Sequence, residues 1–328
     1  MSAGNMPLLS VEDLHISLTT DAGHFAAVEG VSFEIGRGET VGLVGESGCG
    51  KSITALSIMG LLRHPLGLSG GRIRLTGQDI QALPAAELRA LRGKRIAMIF
   101  QEPMTALNPL KQVGTQIAEM FVLHEGASWA EAEKRAIESL TQVKVPAPER
   151  RARAYPHELS GGMRQRVMIA IALACGPDLL IADEPTTALD VTVQAEIVDL
   201  MKELCAARGT AILMISHDLG LVTDICKRVC VMYAGRIVEQ QDSEQIFNNP
   251  QHPYTQGLVA SLPRLGMRAR HGRRRLTEIA GVVPGIAAYP GGCRFNPRCG
   301  RRTEICERVV PELTPLDEGG LVRCHHHG

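Results

Sequence analysis

The sequence has no excess of charge of either sign. Its 328 residues contain 35 Lys and Arg against 35 Asp and Glu, and its pI is about 7.2. A neutral chain presents no global basic field that would collect nucleic acid or anionic lipid. Nucleic acid is therefore not the favoured partner, while the length allows one large domain and an appendage.

Long apolar runs and an export signal are also lacking. No segment approaches the roughly 18 apolar residues that a membrane-spanning helix needs. The first residues, MSAGNMPLLSVEDL, show no basic stretch followed by an apolar core, so they do not resemble a secretory signal. If the protein serves a membrane process, we expect other chains to supply the spanning helices. We also expect the cysteines to stay in a reducing compartment, either free or bound to metal.

Strand patterns dominate the first part of the chain. From Leu8 to about Gly42, short alternating β-branched runs are separated by turn residues, which predicts antiparallel strands. The next run, VGLVG over 41–45, is continuously apolar and bounded by glycine, as is typical of a strand buried on both faces. The residues directly after it predict a helix.

Helical spacing then prevails over residues 104–168, where Ala, Glu, Arg and Leu dominate. Two further buried strands are predicted at 178–183 and 211–216, and they bracket a helical pattern, which indicates a βαβ unit and a largely parallel sheet. The predicted fold class is therefore α/β, with a parallel-sheet core, an antiparallel β subdomain and an inserted helical subdomain. We expect this domain to span residues 1–250 and a small Cys-rich extension to span 251–328.

A glycine-rich loop lies between the buried strand and the helix after it. Its eight residues match the pattern G-x-x-x-x-G-K-[ST]: Gly45, Glu46, Ser47, Gly48, Cys49, Gly50, Lys51 and Ser52. The glycines let backbone N–H groups surround phosphates, Lys51 reaches the β and γ oxygens, and the Ser52 hydroxyl helps to hold Mg²⁺. The loop therefore predicts a binding site for ATP and magnesium.

Two acidic residues follow the strand at 178–183. Asp183 ends the strand, so we expect its carboxylate to emerge at the edge of the sheet where ligands of α/β folds collect and to hold magnesium. Side chains alternate along a strand, so Glu184 points in a different direction from Asp183, and it can act as the general base that accepts a proton from an attacking water. Two surface acids after a strand are common, but this pair accompanies a phosphate-binding loop.

The segment Leu159-Ser160-Gly161-Gly162-Met163, followed by RQRVMIAIALA, opens a helix whose unpaired N–H groups attract an anion. With the motifs above, this segment resembles the signature motif of ABC-family ATPases. The resemblance implies that this helix end meets the γ-phosphate bound to the opposite protomer. A dimer with ATP sandwiched between two copies of the site is thus expected.

Further family elements occur in order along the chain. Gln101 in IFQEP resembles the Q-loop residue, Asp190 in Ala188-Leu189-Asp190 the D-loop residue, and His217 the switch histidine. The resemblance implies that Gln101 senses the membrane partner and the magnesium ion, that Asp190 crosses the dimer interface, and that His217 contacts the γ-phosphate. The family often stacks adenine on an upstream aromatic ring, for which Phe25 is our candidate.

The last four cysteines stand apart from the other five. Cys293-x5-Cys299-x6-Cys306-x17-Cys324 is flanked by Pro, Gly and Arg and has too few apolar residues for a core of its own. Four thiolates suit structural zinc or an iron-sulfur cluster. The C-x2-4-C pairs usual for zinc are missing, which favours the cluster but leaves zinc as an alternative.

The motifs GGCRFNPRC, GVVPG and NPQHPYTQGL are similar to those of the D-type ATPases of bacterial dipeptide and oligopeptide importers. That resemblance implies a 4Fe-4S cluster in the tail. It also implies a sister ATPase subunit, although pairing with itself is open, together with two transmembrane permease subunits and an extracytoplasmic peptide-binding protein. The expected location is the cytoplasmic face of the inner membrane, and the cargo is open among dipeptides, longer peptides, nickel and glutathione.

Two other functions compete with this interpretation. ABC ATPases that act on chromosomes carry a long coiled coil between the phosphate loop and the signature, but only 108 residues (52–159) separate Lys51 from Ser160. Ribosomal types carry two cassettes, and one is present. An iron-sulfur interaction module with vestigial ATP binding is disfavoured because every nucleotide motif is intact.

Overall fold

The structure is a computed structural model that describes residues 6–101, 106–186, 190–262, 278–317 and 319–328. By compactness the chain divides into two units that alternate along the sequence. The first unit comprises Met1–Leu9, Ile35–Glu39 and Leu75–Leu213, and the second comprises Ser10–Glu34, Thr40–Arg74 and Met214–Gly328. Ala188 and Leu189 of the predicted D-loop lie outside the described residues.

The first unit contains most of the helices. Its elements are β5 (Gln78–Asp79), α2 (Ala85–Leu91), β6 (Ile96–Ile99), α3 (Val113–Glu125), α4 (Trp129–Gln142), α5 (Pro148–Ala152), α6 (Gly161–Leu173), β7 (Leu179–Asp183) and α7 (Val191–Arg208). Strands β6 and β7 pair in parallel, with Ile96 opposite Leu179. All residues of β7 are buried, in agreement with the continuous apolar run in its sequence.

The predicted helical subdomain forms a packed helix pair. Helix α3 buries Val113, Ile117 and Phe121, and α4 buries Ala132, Ala136 and Leu140 along one stripe. The spacing of four residues places each set on one face, which explains how the two helices pack. The boundary predicted at residue 104 lies outside the described residues, and residue 168 lies within α6, which continues to Leu173.

The second unit contains two groups of strands. Its elements are β1 (Leu9–Thr20), β2 (Gly23–Ile35), β3 (Thr40–Val44), α1 (Lys51–Ile58), β4 (Leu66–Leu75), α8 (Leu219–Ile225), β9 (Arg228–Tyr233), β10 (Arg236–Asp242), α9 (Ser243–Asn248), α10 (Pro253–Ser261), α11 (Glu304–Arg308), β11 (Thr314–Pro315) and β12 (Leu321–Val322). Strand β8 (Ala211–Ser216) falls at the boundary of the two units.

Strands β2, β1 and β4 lie side by side in that order, and a two-residue turn joins β1 to β2 as a hairpin. The other strands of this unit follow the order β11, β12, β10, β9, β3. Strand β3 pairs with β9 in parallel, whereas β9 with β10 and β10 with β12 are antiparallel. The α/β class with parallel and antiparallel strands is confirmed.

The last fifty residues contain little regular structure, yet they join the sheet of the second unit. Leu321 and Val322 in β12 pair with Gln240 and Glu239 in β10. Apart from β11, the other described residues of this segment form turns, short 3₁₀ segments at Ile286–Ala288 and Asn296–Arg298, and α11. None of the helices in the described ranges is both long and apolar enough to cross a membrane.

Candidate nucleotide site

The glycine-rich loop runs from the end of β3 to the start of α1, as the sequence predicts. A Cβ at Gly45 would lie 2.1 Å from the Met232 carbonyl oxygen, and one at Gly50 would lie 2.9 Å from the Met232 side chain. Gly50 also caps α1 in the left-handed conformation, with φ of 102°. The loop therefore approaches β9 more closely than any residue with a side chain would allow.

The Lys51 side chain is held on the inner side of this loop. It is only 5% exposed, and its Nζ donates hydrogen bonds to the carbonyl oxygens of Gly45 at 2.7 Å and Glu46 at 3.1 Å. The ammonium group thus sits where phosphate oxygens would replace the two carbonyls as partners. Ser52 is half-buried in the first turn of α1, while Ser47 and Gly48 are exposed.

Cys49 is a buried component of the loop and shows no sign of reactivity. Its side chain is fully buried, and burial raises the pKa of its thiol, an effect that the nearby Lys51 only partly offsets. A neutral buried thiol acts as a small apolar group. The sulfur packs beside Gly45, where an added Cβ would lie 2.8 Å from it.

The acidic pair at the end of β7 has two different environments. Asp183 is the last residue of the strand and is 4% exposed. Glu184 is half-buried, and its backbone adopts the left-handed conformation with φ of 46°. Such a conformation is costly for a non-glycine residue and is concentrated at functional sites.

Gln101 and Glu184 are brought together although 83 positions separate them. The Gln101 side-chain amide donates a hydrogen bond to the Glu184 carboxylate, with 3.0 Å between Nε2 and Oε2. Gln101 is exposed and follows β6, which pairs with the strand that ends at Asp183. The parallel pairing explains the contact, because the carboxyl ends of both strands meet at one edge.

Ser160 is the N-cap of α6. Its hydroxyl accepts a hydrogen bond from the Met163 backbone N–H at 3.3 Å, and Ser160 and Gly161 are exposed while Gly162 is half-buried. Asp190 caps α7 in the same way, since its carboxylate accepts from Val193 N–H at 3.0 Å. Both helix ends therefore present backbone N–H groups and positive dipole ends at the surface.

His217 and Phe25 lie in the second unit. His217 is exposed and directly follows β8. Phe25 is half-buried on β2, two residues before Ala27, whose carbonyl oxygen lies 3.4 Å from the Cβ position of Gly50. Successive side chains of a strand alternate between its two faces, and the β2 side chain nearest that Cβ position is that of Val28, at 3.2 Å, three positions from Phe25.

The four tail cysteines line one small cavity of about 10 Å³ together with His252, Phe295 and other residues. The pKa of Cys293 is raised to about 11, chiefly by burial and less by the neighbouring thiols Cys324, Cys306 and Cys299, against a backbone N–H bond from Phe295 that lowers it. The mutual influence reflects their proximity. Four ionised thiolates therefore require a positively charged species to offset their repulsion.

The structure confirms neither the predicted 4Fe-4S cluster nor its alternative, zinc. In the ranges given above, no three His, Cys, Asp or Glu side chains are placed to hold one metal ion. The sulfurs have local partners instead: Arg301 N–H donates to Cys299 Sγ at 3.4 Å and His326 N–H to Cys324 Sγ at 3.3 Å. Backbone N–H bonds of this kind suit thiolates, which are stronger acceptors than thiols.

Two residues that sequence reasoning missed contact the phosphate-binding loop. Arg298 forms an ion pair with Glu46, and the Tyr254 hydroxyl accepts a hydrogen bond from Glu46 N–H at 2.9 Å. Tyr254 lies within NPQHPYTQGL and Arg298 within GGCRFNPRC, both of which the sequence analysis singled out by resemblance. No local pattern indicates that these motifs reach a loop more than 200 residues away.

Two family models match the chain. The ABC transporter model matches residues 28–187, and the model of the oligopeptide/dipeptide transporter C-terminal region matches residues 238–306. The first match covers the phosphate-binding loop, the signature helix and the acidic pair. The second covers Tyr254, Arg298 and three of the four tail cysteines.

Relatives extend the similarity to nearly the whole chain. A putative peptide import ATP-binding protein of Brucella abortus is 49% identical over 97% of this chain and 96% of its own length. The dipeptide transport ATP-binding protein DppD of Escherichia coli is 46% identical over 98% of this chain and 97% of its own. DppD of Bacillus subtilis is 48% identical, over 97% and 94% respectively.

Solved structures agree with the fold. The dimeric ATP-binding cassette MJ0796, described in a post-hydrolysis state with ADP and phosphate, has a TM-score of 0.65 and 28% identity, and the match covers 72% of this chain and 98% of that one. CbiO1 from Clostridium perfringens has a TM-score of 0.63 and 29% identity, over 74% of this chain and 91% of that one. The chain therefore belongs to the ABC transporter family of ATPases and carries the oligopeptide/dipeptide transporter C-terminal region.

Proposed function

We propose that this ATPase powers a bacterial importer of dipeptides or oligopeptides. The observation that carries the proposal is the coexistence of an intact phosphate-binding loop, with Lys51 held inside it, and a tail of the oligopeptide/dipeptide transporter type. Relatives named for peptide or dipeptide import match over nearly their full length. The protein would thus convert ATP hydrolysis into peptide movement through partner subunits.

The hydrolytic roles follow from the chemistry of phosphoryl transfer. Lys51 and the loop N–H groups bind the β and γ phosphates, while Ser52, Gln101 and Asp183 would hold Mg²⁺, which when bound would supply positive charge to the transferred group. Glu184 accepts the proton of the attacking water, and His217 contacts the γ-phosphate. The Gln101–Glu184 hydrogen bond supports a coupling of metal binding to the position of the base.

The exposed end of α6 supports a dimer. Ser160, Gly161 and Gly162 offer N–H groups and a positive dipole end that favour an anion. We place the γ-phosphate held by a partner ATPase at this helix end, so that a second subunit completes each ATP-binding site. Asp190, exposed at the start of α7, would lie at this interface, and Phe25 would stack on the adenine.

The partner subunits we propose are those of a peptide importer. Two transmembrane permease subunits would carry the peptide, an extracytoplasmic binding protein would deliver it, and the chain would sit on the cytoplasmic face of the membrane. The second ATPase subunit is a sister chain or a second copy. Dipeptides are the first candidate cargo, followed by longer peptides, with nickel and glutathione behind them.

Purification through this chain from detergent-solubilised membranes tests the assembly. We expect two membrane proteins and an ATPase subunit to co-purify, and we expect peptide-loaded binding protein to stimulate ATP hydrolysis. Recovery of ribosomes or DNA in place of membrane proteins would contradict the transporter assignment. A matched preparation of Lys51→Ala should assemble normally and hydrolyse no ATP.

The tail cavity supports a second proposal, a 4Fe-4S cluster held by Cys293, Cys299, Cys306 and Cys324. A cubane places irons and sulfides between its cysteines, so its ligands stand farther apart than those of a single zinc ion. The four thiols line one cavity, and two of them accept backbone N–H bonds. When bound, the cluster would tie together a segment that has little apolar core of its own.

Metal analysis of anaerobically purified protein tests the cluster. We expect about four irons per chain and a brown colour, since each cubane contains four irons. Cys306→Ser should lose the iron, whereas Cys175→Ser, a half-buried thiol outside the tail, should retain it. Colourless protein that contains one zinc per chain would contradict the cluster and show that the site holds zinc.

A further inference from the structure

The P-loop residue Glu46 is held by the C-terminal tail. Arg298 Nη1 lies 2.5 Å from Glu46 Oε2, and Arg298 Nη2 lies 3.0 Å from Glu46 Oε1. The pair is therefore bidentate, an arrangement that fixes both direction and distance. Arg298 is separated from Glu46 by 252 positions, so this contact joins the nucleotide loop to a distant part of the chain.

Hydrogen bonds to two backbone carbonyl oxygens hold the guanidinium of Arg298 independently of Glu46. Its Nε donates to the Ala280 carbonyl oxygen at 2.9 Å, and Nη2 donates to the Ile279 carbonyl oxygen at 3.1 Å. The side chain is 4% exposed, compared with 32% for Glu46. An arginine that is buried and bonded on two sides loses little further freedom when it binds a carboxylate.

The main chain of Glu46 has a second anchor. The buried Tyr254 hydroxyl accepts from Glu46 N–H at 2.9 Å. The Tyr254 ring packs against Tyr233 and Phe295, with ring centroids 4.7 Å and 5.5 Å away. Phe295 precedes Arg298 by three residues, so one aromatic cluster supports both contacts to Glu46.

Glu46 needs such a partner because of its position. It follows Gly45 in the loop that wraps the phosphates, and its carbonyl oxygen accepts a hydrogen bond from Lys51 Nζ. A free carboxylate on this loop would repel a bound triphosphate. Arg298 offsets that charge and fixes the backbone that carries the Lys51 contact.

We propose that Arg298 is a positioning residue of the nucleotide site, through which the C-terminal region sets the affinity of the P-loop for ATP. The proposal rests on nucleotide binding by this ATPase and is independent of the peptide cargo and of the cluster. It gives the tail a role beyond holding itself together. Loss of Arg298 should weaken the binding of ATP more than that of ADP, because ATP carries one more negative charge.

Equilibrium binding of Mg-ATP and Mg-ADP to the full chain tests the proposal in four variants. For Arg298→Gln we expect the Kd of ATP to rise about tenfold, which corresponds to about 1.4 kcal/mol, and the Kd of ADP to rise less. Glu46→Gln lies in the loop itself, so it serves as the background of a double-mutant comparison, in which adding Arg298→Gln should raise the Kd of ATP by less than about twofold. The double variant should bind like Glu46→Gln, because the charge that Arg298 offsets is gone, and Arg298→Lys should retain most of the affinity.

Arg302→Gln is the matched control, since Arg302 is an exposed arginine of the same tail, and it should bind both nucleotides normally. Thermal unfolding shows whether each variant is folded. Normal ATP affinity in Arg298→Gln would overturn the proposal, as would equal losses for ATP and ADP, or a further loss of about tenfold when Arg298→Gln is added to Glu46→Gln. If Arg298→Gln does not fold, Arg298→Met, which keeps the apolar stem of the side chain without its charge, takes its place, and an unchanged ATP-to-ADP affinity ratio in that variant would overturn the proposal. Failure of the unaltered chain to bind ATP would instead reject the nucleotide assignment itself.

Discussion

The side-chain amide of Gln101 donates a hydrogen bond to the Glu184 carboxylate, with 3.0 Å between the two atoms. Glu184 also adopts a left-handed backbone conformation, with φ of 46°. The bond and the backbone together fix the direction of the carboxylate relative to Asp183, the residue before it. A carboxylate oriented in this way fits the role proposed for Glu184, which is to accept a proton from a water that attacks in line with the γ-phosphate.

Glu184→Gln removes the proton acceptor while preserving the size of the side chain. We expect ATP turnover by the assembled complex to fall about 10²- to 10⁴-fold, because a general base contributes on that scale. ATP binding should persist, and the ATPase pair should stay closed around uncleaved ATP. Steady-state phosphate release and size-exclusion chromatography with ATP measure the two effects.

Glu203→Gln is the matched control for this change. Glu203 is an exposed glutamate of α7 that pairs with the exposed Lys144, so its replacement should leave turnover unchanged. Near-normal hydrolysis by Glu184→Gln would remove Glu184 from the catalytic role.

The two loop glycines Gly45 and Gly48 should respond differently to alanine. A Cβ at Gly45 would lie 2.1 Å from the Met232 carbonyl oxygen, whereas one at Gly48 would meet nothing within 4 Å. We expect Gly45→Ala to lower the free energy of unfolding by about 3 kcal/mol or to prevent folding, since the backbone must move. Gly48→Ala should cost only about 1 kcal/mol, the strain of its left-handed φ. Denaturant unfolding compares them, and equal losses would contradict the assigned close approach to β9.

Ser160→Ala separates capping from nucleotide contact. Ser160 and Ser128 each accept a hydrogen bond from the backbone N–H three residues later, at the starts of α6 and α4. Either alanine variant should lose about 1 kcal/mol of unfolding free energy, because each removes one N-cap. Only Ser160→Ala should also weaken ATP-dependent pairing of the subunits, about tenfold, since only that helix end is assigned to a phosphate. Analytical ultracentrifugation with ATP checks this, and equal pairing by both variants would contradict the signature assignment.

The parts of the site that depend on neighbouring residues could be predicted from the sequence. The strand, glycine loop and helix around Lys51 and the buried strand ending at Asp183 were found where the pattern places them. The capping role of Ser160 was predictable for the same reason, because a serine before a helix serves its own first turn. The strand, helix and strand order predicted a largely parallel sheet, and β7 does pair in parallel, but its described partner β6 was not predicted as a strand.

Contacts between distant segments could not be predicted. The Gln101–Glu184 bond joins residues 83 positions apart, and the Arg298–Glu46 pair joins residues 252 apart. Neither a periodic pattern nor local composition contains that information, because each of these two contacts depends on how separate elements pack. The pairing of β12 with β10 was missed because two-residue strands leave no recognisable alternation.

The most direct test of the account is ATP-driven uptake of a labelled dipeptide by proteoliposomes that contain the assembled importer, with the ATPase site facing the ATP. We expect uptake with the unaltered chain and an excess of binding protein, and a loss of uptake with Glu184→Gln in the same assembly. Uptake that continues with Glu184→Gln at the unaltered rate, or hydrolysis by the unaltered assembly that moves no dipeptide or longer peptide, would contradict the account.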